Sequence, residues 1–206
     1  MEIAPGVDHT AWAGLNLNDP QSPDWPLAVQ IFEKRIRSRF LNAVDALEQR
    51  ESYESQCRFG FTILAIDCLL IETLYQFREG LPHTKKKSSK AFKDFLTTTP
   101  QFNKHFDNKL AEQFYDEFRC GILHQAEVKM LSRVKTGPNY PLVSRENKTG
   151  KMIVNRSLFH KALLDFFDSY IAQLRDGGVA NEHHRQMFRM KMDIVCRVDR
   201  TPIIEV

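Results

Sequence analysis

The stretch FGFTILAIDCLLIETLYQF, residues 59–77, constrains this chain more than any other. It is too long for a single strand, and as a helix it is apolar around most of its circumference, so it requires burial on most sides. Asp67 and Glu72 interrupt it. Either carboxylate at the middle of a bilayer costs roughly 2.5–3.5 kcal/mol. A core helix over residues 52–77 is therefore expected rather than a membrane span, ended by Glu79-Gly80-Leu81-Pro82.

The rest of the chain is organised around helical periodicity. Its 206 residues suit one domain, and 42% hydrophobic with 27% charged residues is ordinary for a soluble globular protein. Residues 1–23 carry little periodic hydrophobicity and read as an N-terminal arm, leaving 24–206 as a single helical domain. Asp24 and Pro26 mark a helix start, and Leu27, Ile31, Phe32, Ile36, Phe40, Val44 and Leu47 continue its stripe to about Arg50. A short helix follows at 89–97, stopped by Pro100. Asp107 then caps a long helix over 108–134. Residues 136–156 read as an insertion, with 142–144 and 152–154 flanking Glu146-Asn147-Lys148-Thr149-Gly150 as a β-hairpin. A helix over 157–174 ends at Gly177-Gly178, and a C-terminal helix and tail occupy 181–206. The expected fold is mainly all-α: an antiparallel bundle of about five to six helices with a small β-hairpin near residues 142–155.

The stretch FRCGILHQ, residues 118–125, is unusual for the middle of a helix. On a helical wheel Arg119 lies at the edge of the apolar arc centred on Phe118, and His124 lies about 140° away from it on the polar side. An arginine beside a core stripe needs a carboxylate partner, and Asp67 or Glu72 can supply it. Gly121 costs about 1 kcal/mol relative to alanine inside a helix, so a second helix, a second subunit or a phosphate is expected to approach it closely. Arg119 and His124 form R-x4-H. With 15 arginines and 7 histidines, chance alone yields about half an occurrence, and Arg78 with His83 is a second match lying in a turn.

The R-x4-H pair in a long, late amphipathic helix resembles the HEPN superfamily, helical domains many of which are ribonucleases. Glu72 resembles the polar position that many members carry on an earlier core helix. Cys120 stands where catalytic members usually have Asn, Asp or His, and Gln125-Ala126-Glu127 lacks the tyrosine of one toxin subgroup. The resemblance implies metal-independent RNA cleavage by attack of the 2′-hydroxyl, with no cofactor. It assigns Arg119 to the phosphate and His124 to the proton, with Glu72, Asp67, Cys120 and Gln125 in support. It also implies a homodimer sharing one cleft, and a setting in phage defence or a toxin system with a protein regulator or antitoxin.

Charge is unevenly placed. Between Lys129 and Lys161 the net charge is +7, leaving −4 for the rest of a chain whose total is +3. A polyanion such as single-stranded RNA is the partner expected there, through Lys129, Arg133, Lys135, Arg145, Lys148 and Lys151. A solvated loop explains the same charges about as well. The scattered Cys57, Cys68, Cys120 and Cys196 read as reduced thiols of a cytoplasmic protein, and His183-His184 as a polar helix face rather than metal ligands. The opening residues show no signal peptide pattern. A non-catalytic HEPN-like RNA-binding or regulatory module, an unrelated helical partner-binding protein and a Cys120–His124 nucleophile pair are the other readings.

Overall fold

The computed structural model describes residues 1–54 and 58–200. The protein is mainly helical, and it divides into two units: Met1–Asn42 with Gln76–His83 and the chain from Tyr170 onward, and Ala43–Tyr75 with Thr84–Ser169.

In the first unit, β1 (Glu2–Ala4) and β2 (Val7–Asp8) pair antiparallel and lead into α1 (His9–Ala13), where the Asp8 carboxylate accepts from the Thr10 and Ala11 amides. Helix α2 (Trp25–Ile36) passes into a π-helical segment, Arg37–Leu41. Pro26 sits in the first turn as expected. Asp24, read as its cap, makes no capping bond and instead accepts from the Asn16 amide at 2.7 Å. Helix α9 (Glu182–Cys196) begins one residue after its expected start.

Residues 1–23 are not an arm. Trp12 is fully buried, its ring 5.8 Å from Phe188, and Ile3, Leu15 and Leu17 are buried too. Phe32 joins Phe77 and Phe188 at centroid separations of 4.5 and 5.1 Å. Backbone carbonyls in this irregular segment need donors, and arginines supply them. Arg189 donates to Leu17, Arg185 to Pro20, and Arg200 to Leu15 and Trp12. Windows of low periodicity conceal this role, because single aromatic anchors rather than a stripe do the packing.

The second unit contains α3 (Asn42–Glu54), α4 (Gly60–Arg78) up to Tyr75, and α5 (Ser88–Thr98). The expected helix over 52–77 therefore starts at Gly60, and Cys57 lies outside the described residues. By length and composition α4 is apolar enough to cross a membrane, but both its carboxylates are engaged by side chains of this unit, as a core helix requires. Asp107 caps the next helix, accepting from the Leu110 amide at 2.7 Å. That helix runs as α6 (Asn108–Phe114), a π segment (Tyr115–Cys120) and α7 (Gly121–Gln125).

It stops at Gln125, nine residues before the expected Val134, and Ala126 after it takes the left-handed conformation at φ 53°. Short strands follow: β3 (Arg133–Lys135), β4 (Val143–Arg145) and β5 (Met152–Asn155). β4 and β5 pair antiparallel, with Ser144 opposite Ile153. The sheet order is β3-β5-β4, with β3 parallel to β5, a partner that the two-stranded expectation lacked. Helix α8 (Arg156–Arg175) follows β5 directly. Phenylalanines form the core: Phe114 stacks on Phe118 at 5.3 Å and on Phe159 at 5.0 Å, and Phe95 meets Phe166 at 4.8 Å.

Candidate functional site

All the sequence-derived site residues lie in the second unit. Arg119 falls in the π segment, a departure that often marks functional helices. Because i→i+5 bonding changes the turn per residue, wheel angles do not carry across it. The Arg119 guanidinium donates to Glu72 at 3.1 Å and lies 5.4 Å from the Tyr115 ring centre. Glu72 also accepts from the hydroxyls of Thr84 and of Ser88, the latter at 2.7 Å. Burial pushes the Glu72 carboxyl up, but these hydroxyls and the Arg119 charge outweigh it and hold the carboxyl below its ordinary value. Both side chains of the pair are 18% exposed. Of the two proposed partners, then, Glu72 holds Arg119.

His124 and Gln125 are exposed on the last turn, and Cys120 is half-buried next to Tyr115. The close approach expected at Gly121 comes from the chain itself. A Cβ there would meet the Glu127 carbonyl oxygen at 2.5 Å and the Lys129 amide at 3.2 Å, as the backbone doubles back after Ala126. Lys129 extends this return, pairing with Asp116 at 3.0 Å. Buried Glu117 then anchors it, accepting from Ser132, whose hydroxyl in turn accepts from the Met152 amide at 2.8 Å.

Asp67 has a different partner from the one considered for it. It is fully buried on α4, and His160 Nδ1 on α8 sits 2.6 Å from its Oδ1. One turn earlier on α8, Arg156 is 3% exposed and bonds Glu48 at 2.7 Å and buried Glu51. Sequence reasoning missed His160, Glu51 and Arg156 as a network. The only available signal was the i, i+4 spacing of Arg156 and His160 on one face of α8.

Burial lowers the His160 pKa, but its bond to Asp67 and the carboxylate charge outweigh that and raise it above 6.5, while burial raises Asp67. A histidine raised in the folded state stabilises fully below its unfolded value and loses that contribution as pH climbs through the folded one. From the ordinary histidine value of 6.5 upward, wild type should therefore lose stability as pH rises relative to Asp67→Asn/His160→Gln, which removes both titrations. Thermal unfolding of the two proteins measures this, and a constant difference across the range would refute it.

The basic residues divide. Arg133 and Lys135, two apart on β3, line a cavity of about 600 Å³ together with Arg58, Arg156, Phe61 and Tyr140. Lys135 Nζ is 6.0 Å from the Tyr140 ring centre. The cavity also includes Gly60, at the N-terminus of α4. Arg145, Lys148 and Lys151 lie elsewhere. Arg145 is exposed and donates to the Gly150 carbonyl at 3.2 Å, while Lys148 is exposed on the loop after β4. Among the described residues no three metal-ligating side chains gather.

No protein family model, curated protein or solved structure matches this chain.

Proposed function

We propose that the chain is a HEPN-like, metal-independent endoribonuclease in which Arg119 holds the scissile phosphate and His124 moves the proton. The observation carrying this reading is an arginine held by a braced core carboxylate, followed on the same helix by a solvent-facing histidine. Fixing Glu72 with two hydroxyls restricts the guanidinium before any substrate arrives, and preorganised charge is what a developing pentacoordinate phosphorus requires. His124 in water keeps access to a proton donor and acceptor. In this reading the helices form an antiparallel bundle around a β-hairpin insertion. Two copies share one cleft, single-stranded RNA lies along the basic segment, and the protein works in the cytoplasm in phage defence or under an antitoxin-like regulator.

A second reading, a non-catalytic RNA-binding or regulatory module, is favoured by one observation. The Arg119 charge is already met by Glu72.

One experiment separates them. Wild type should cut single-stranded RNA in excess EDTA and leave a 2′,3′-cyclic phosphate, while a substrate with 2′-deoxy at the scissile position stays whole. His124→Ala should abolish cutting and leave unfolding unchanged, because exposed side chains contribute little to folding. His83→Ala, in the turn after α4, should cut like wild type. Binding without cutting by wild type selects the second reading. RNA that is neither bound nor cut discards both.

A further inference from the structure

The cavity at the start of α4 has the features of a ligand site, and they do not depend on RNA cleavage at Arg119 and His124. Its cations come from separate parts of the chain: Arg58 just before α4, Arg133 and Lys135 on β3, and Arg156 at the start of α8. No carboxylate lines it among the described residues. Arg156 is already paired with Glu48 and Glu51, but the like charges of Arg58, Arg133 and Lys135 gathered in one concavity repel, and an anion relieves that repulsion. Gly60 places the N-terminus of a 19-residue helix at the wall, where the helix dipole favours negative charge. Val134 of β3 comes this close because Gly60 lacks a side chain; a Cβ there would stand 3.3 Å from its methyl group.

Arg156 adds the strongest evidence. It is 3% exposed and lines the cavity, and although its terminal nitrogens bond Glu48 and Glu51, its buried Nε has no hydrogen-bond partner. Native proteins rarely leave a buried charged donor unmet. The lining also carries two aromatic rings beside Val134. Phe61 is 40% exposed and Tyr140 is half-buried. Cations for phosphate beside ring faces for stacking form a recognisable pairing.

We propose that this cavity binds a small organic phosphate bearing a planar ring, a mononucleotide by chemical class. A single nucleotide suits it better than a strand. The volume, about 600 Å³, is that of a ligand pocket rather than a track. The exposed basic residues that would extend a track, Arg145 and Lys148, do not line it.

Calorimetric titration of the full chain with AMP, ATP, adenosine and inorganic pyrophosphate tests the assignment. AMP or ATP should bind at least about tenfold more tightly than adenosine. Arg133→Ala/Lys135→Ala should weaken that nucleotide about tenfold or more. These positions are exposed and half-buried, so the variant's unfolding midpoint should match wild type. Arg145→Ala/Lys148→Ala should bind as wild type does. Tyr140→Ala should weaken the nucleotide and leave pyrophosphate unchanged. No binding of either nucleotide at millimolar concentration overturns the proposal. So does wild-type affinity in the Arg133/Lys135 variant, or binding of RNA oligonucleotides through these residues without binding of mononucleotides.

Discussion

Arg156→Ala should lower the unfolding free energy by about 3–5 kcal/mol, the range for breaking a buried ion pair from one side. Arg156 is 3% exposed and Glu51 6%, so removing the guanidinium leaves a carboxylate with little water to replace it. Glu51 would keep one donor, the Phe59 amide at 2.6 Å, and that bond also ties the chain just before α4. The damage should therefore reach the α4 start and with it the cavity wall. Attraction within the buried pair is offset by the cost of desolvating both ions, so replacing both partners by apolar residues should be far milder than replacing one. Arg156→Met/Glu51→Leu is expected to recover part of the loss, since Glu48 then loses its partner at a half-exposed position and the Phe59 amide loses its acceptor. Urea denaturation of the three proteins measures both steps. A single-variant loss below about 1 kcal/mol would mean that the pair behaves as a solvated surface bridge.

Trp12→Ala should cost a similar amount, about 3–5 kcal/mol, the range for deleting a fully buried large aromatic side chain. Trp12 has no exposed surface, and its indole N–H donates to Asp193 at 2.7 Å. Losing that donor leaves Asp193 with Arg200 at 3.1 Å. Burial already pushes the Asp193 carboxyl up despite both partners. Trp12→Phe separates the two contributions: it retains part of the packing against Phe188 and loses the hydrogen bond, for about 1–3 kcal/mol. If Trp12→Ala shifts the denaturation midpoint no more than a typical surface substitution, within about 0.5 kcal/mol, the N-terminal segment is the arm that its composition suggests.

What could be read from the residues was local. The periodicity over 157–174 identifies α8 to within one residue at either end because a helix is specified by contacts three and four positions apart. The Asp107 cap depends on a bond spanning three residues. The apolar run at 59–77 implied a buried helix whatever its neighbours, and the charge excess after Lys129 pointed to the segment that supplies three of the four cavity cations, Arg133, Lys135 and Arg156. The need of Arg119 for a carboxylate on α4 was also readable, since an arginine beside an apolar stripe has few other solutions.

Which carboxylate, and what surrounds it, depended on distant closure. Asp67 and Glu72 were equal candidates in the sequence. The fold gives Asp67 to His160, 93 residues away, and leaves Glu72 to Arg119. Gly121 announced a close approach, but only the chain reversal at Ala126 identifies the approaching atoms as those of residues 127–129. Strand β3 is too short to carry a period-two signal and exists because β5 offers it a parallel edge. Trp12 is a core residue because α9 and Arg200 bring Asp193 and Phe188 to it. Periodicity, capping and charge density act between near neighbours and are written into the chain. Partner choice among buried polar groups is decided by which segments the folded backbone brings within about 3 Å of each other.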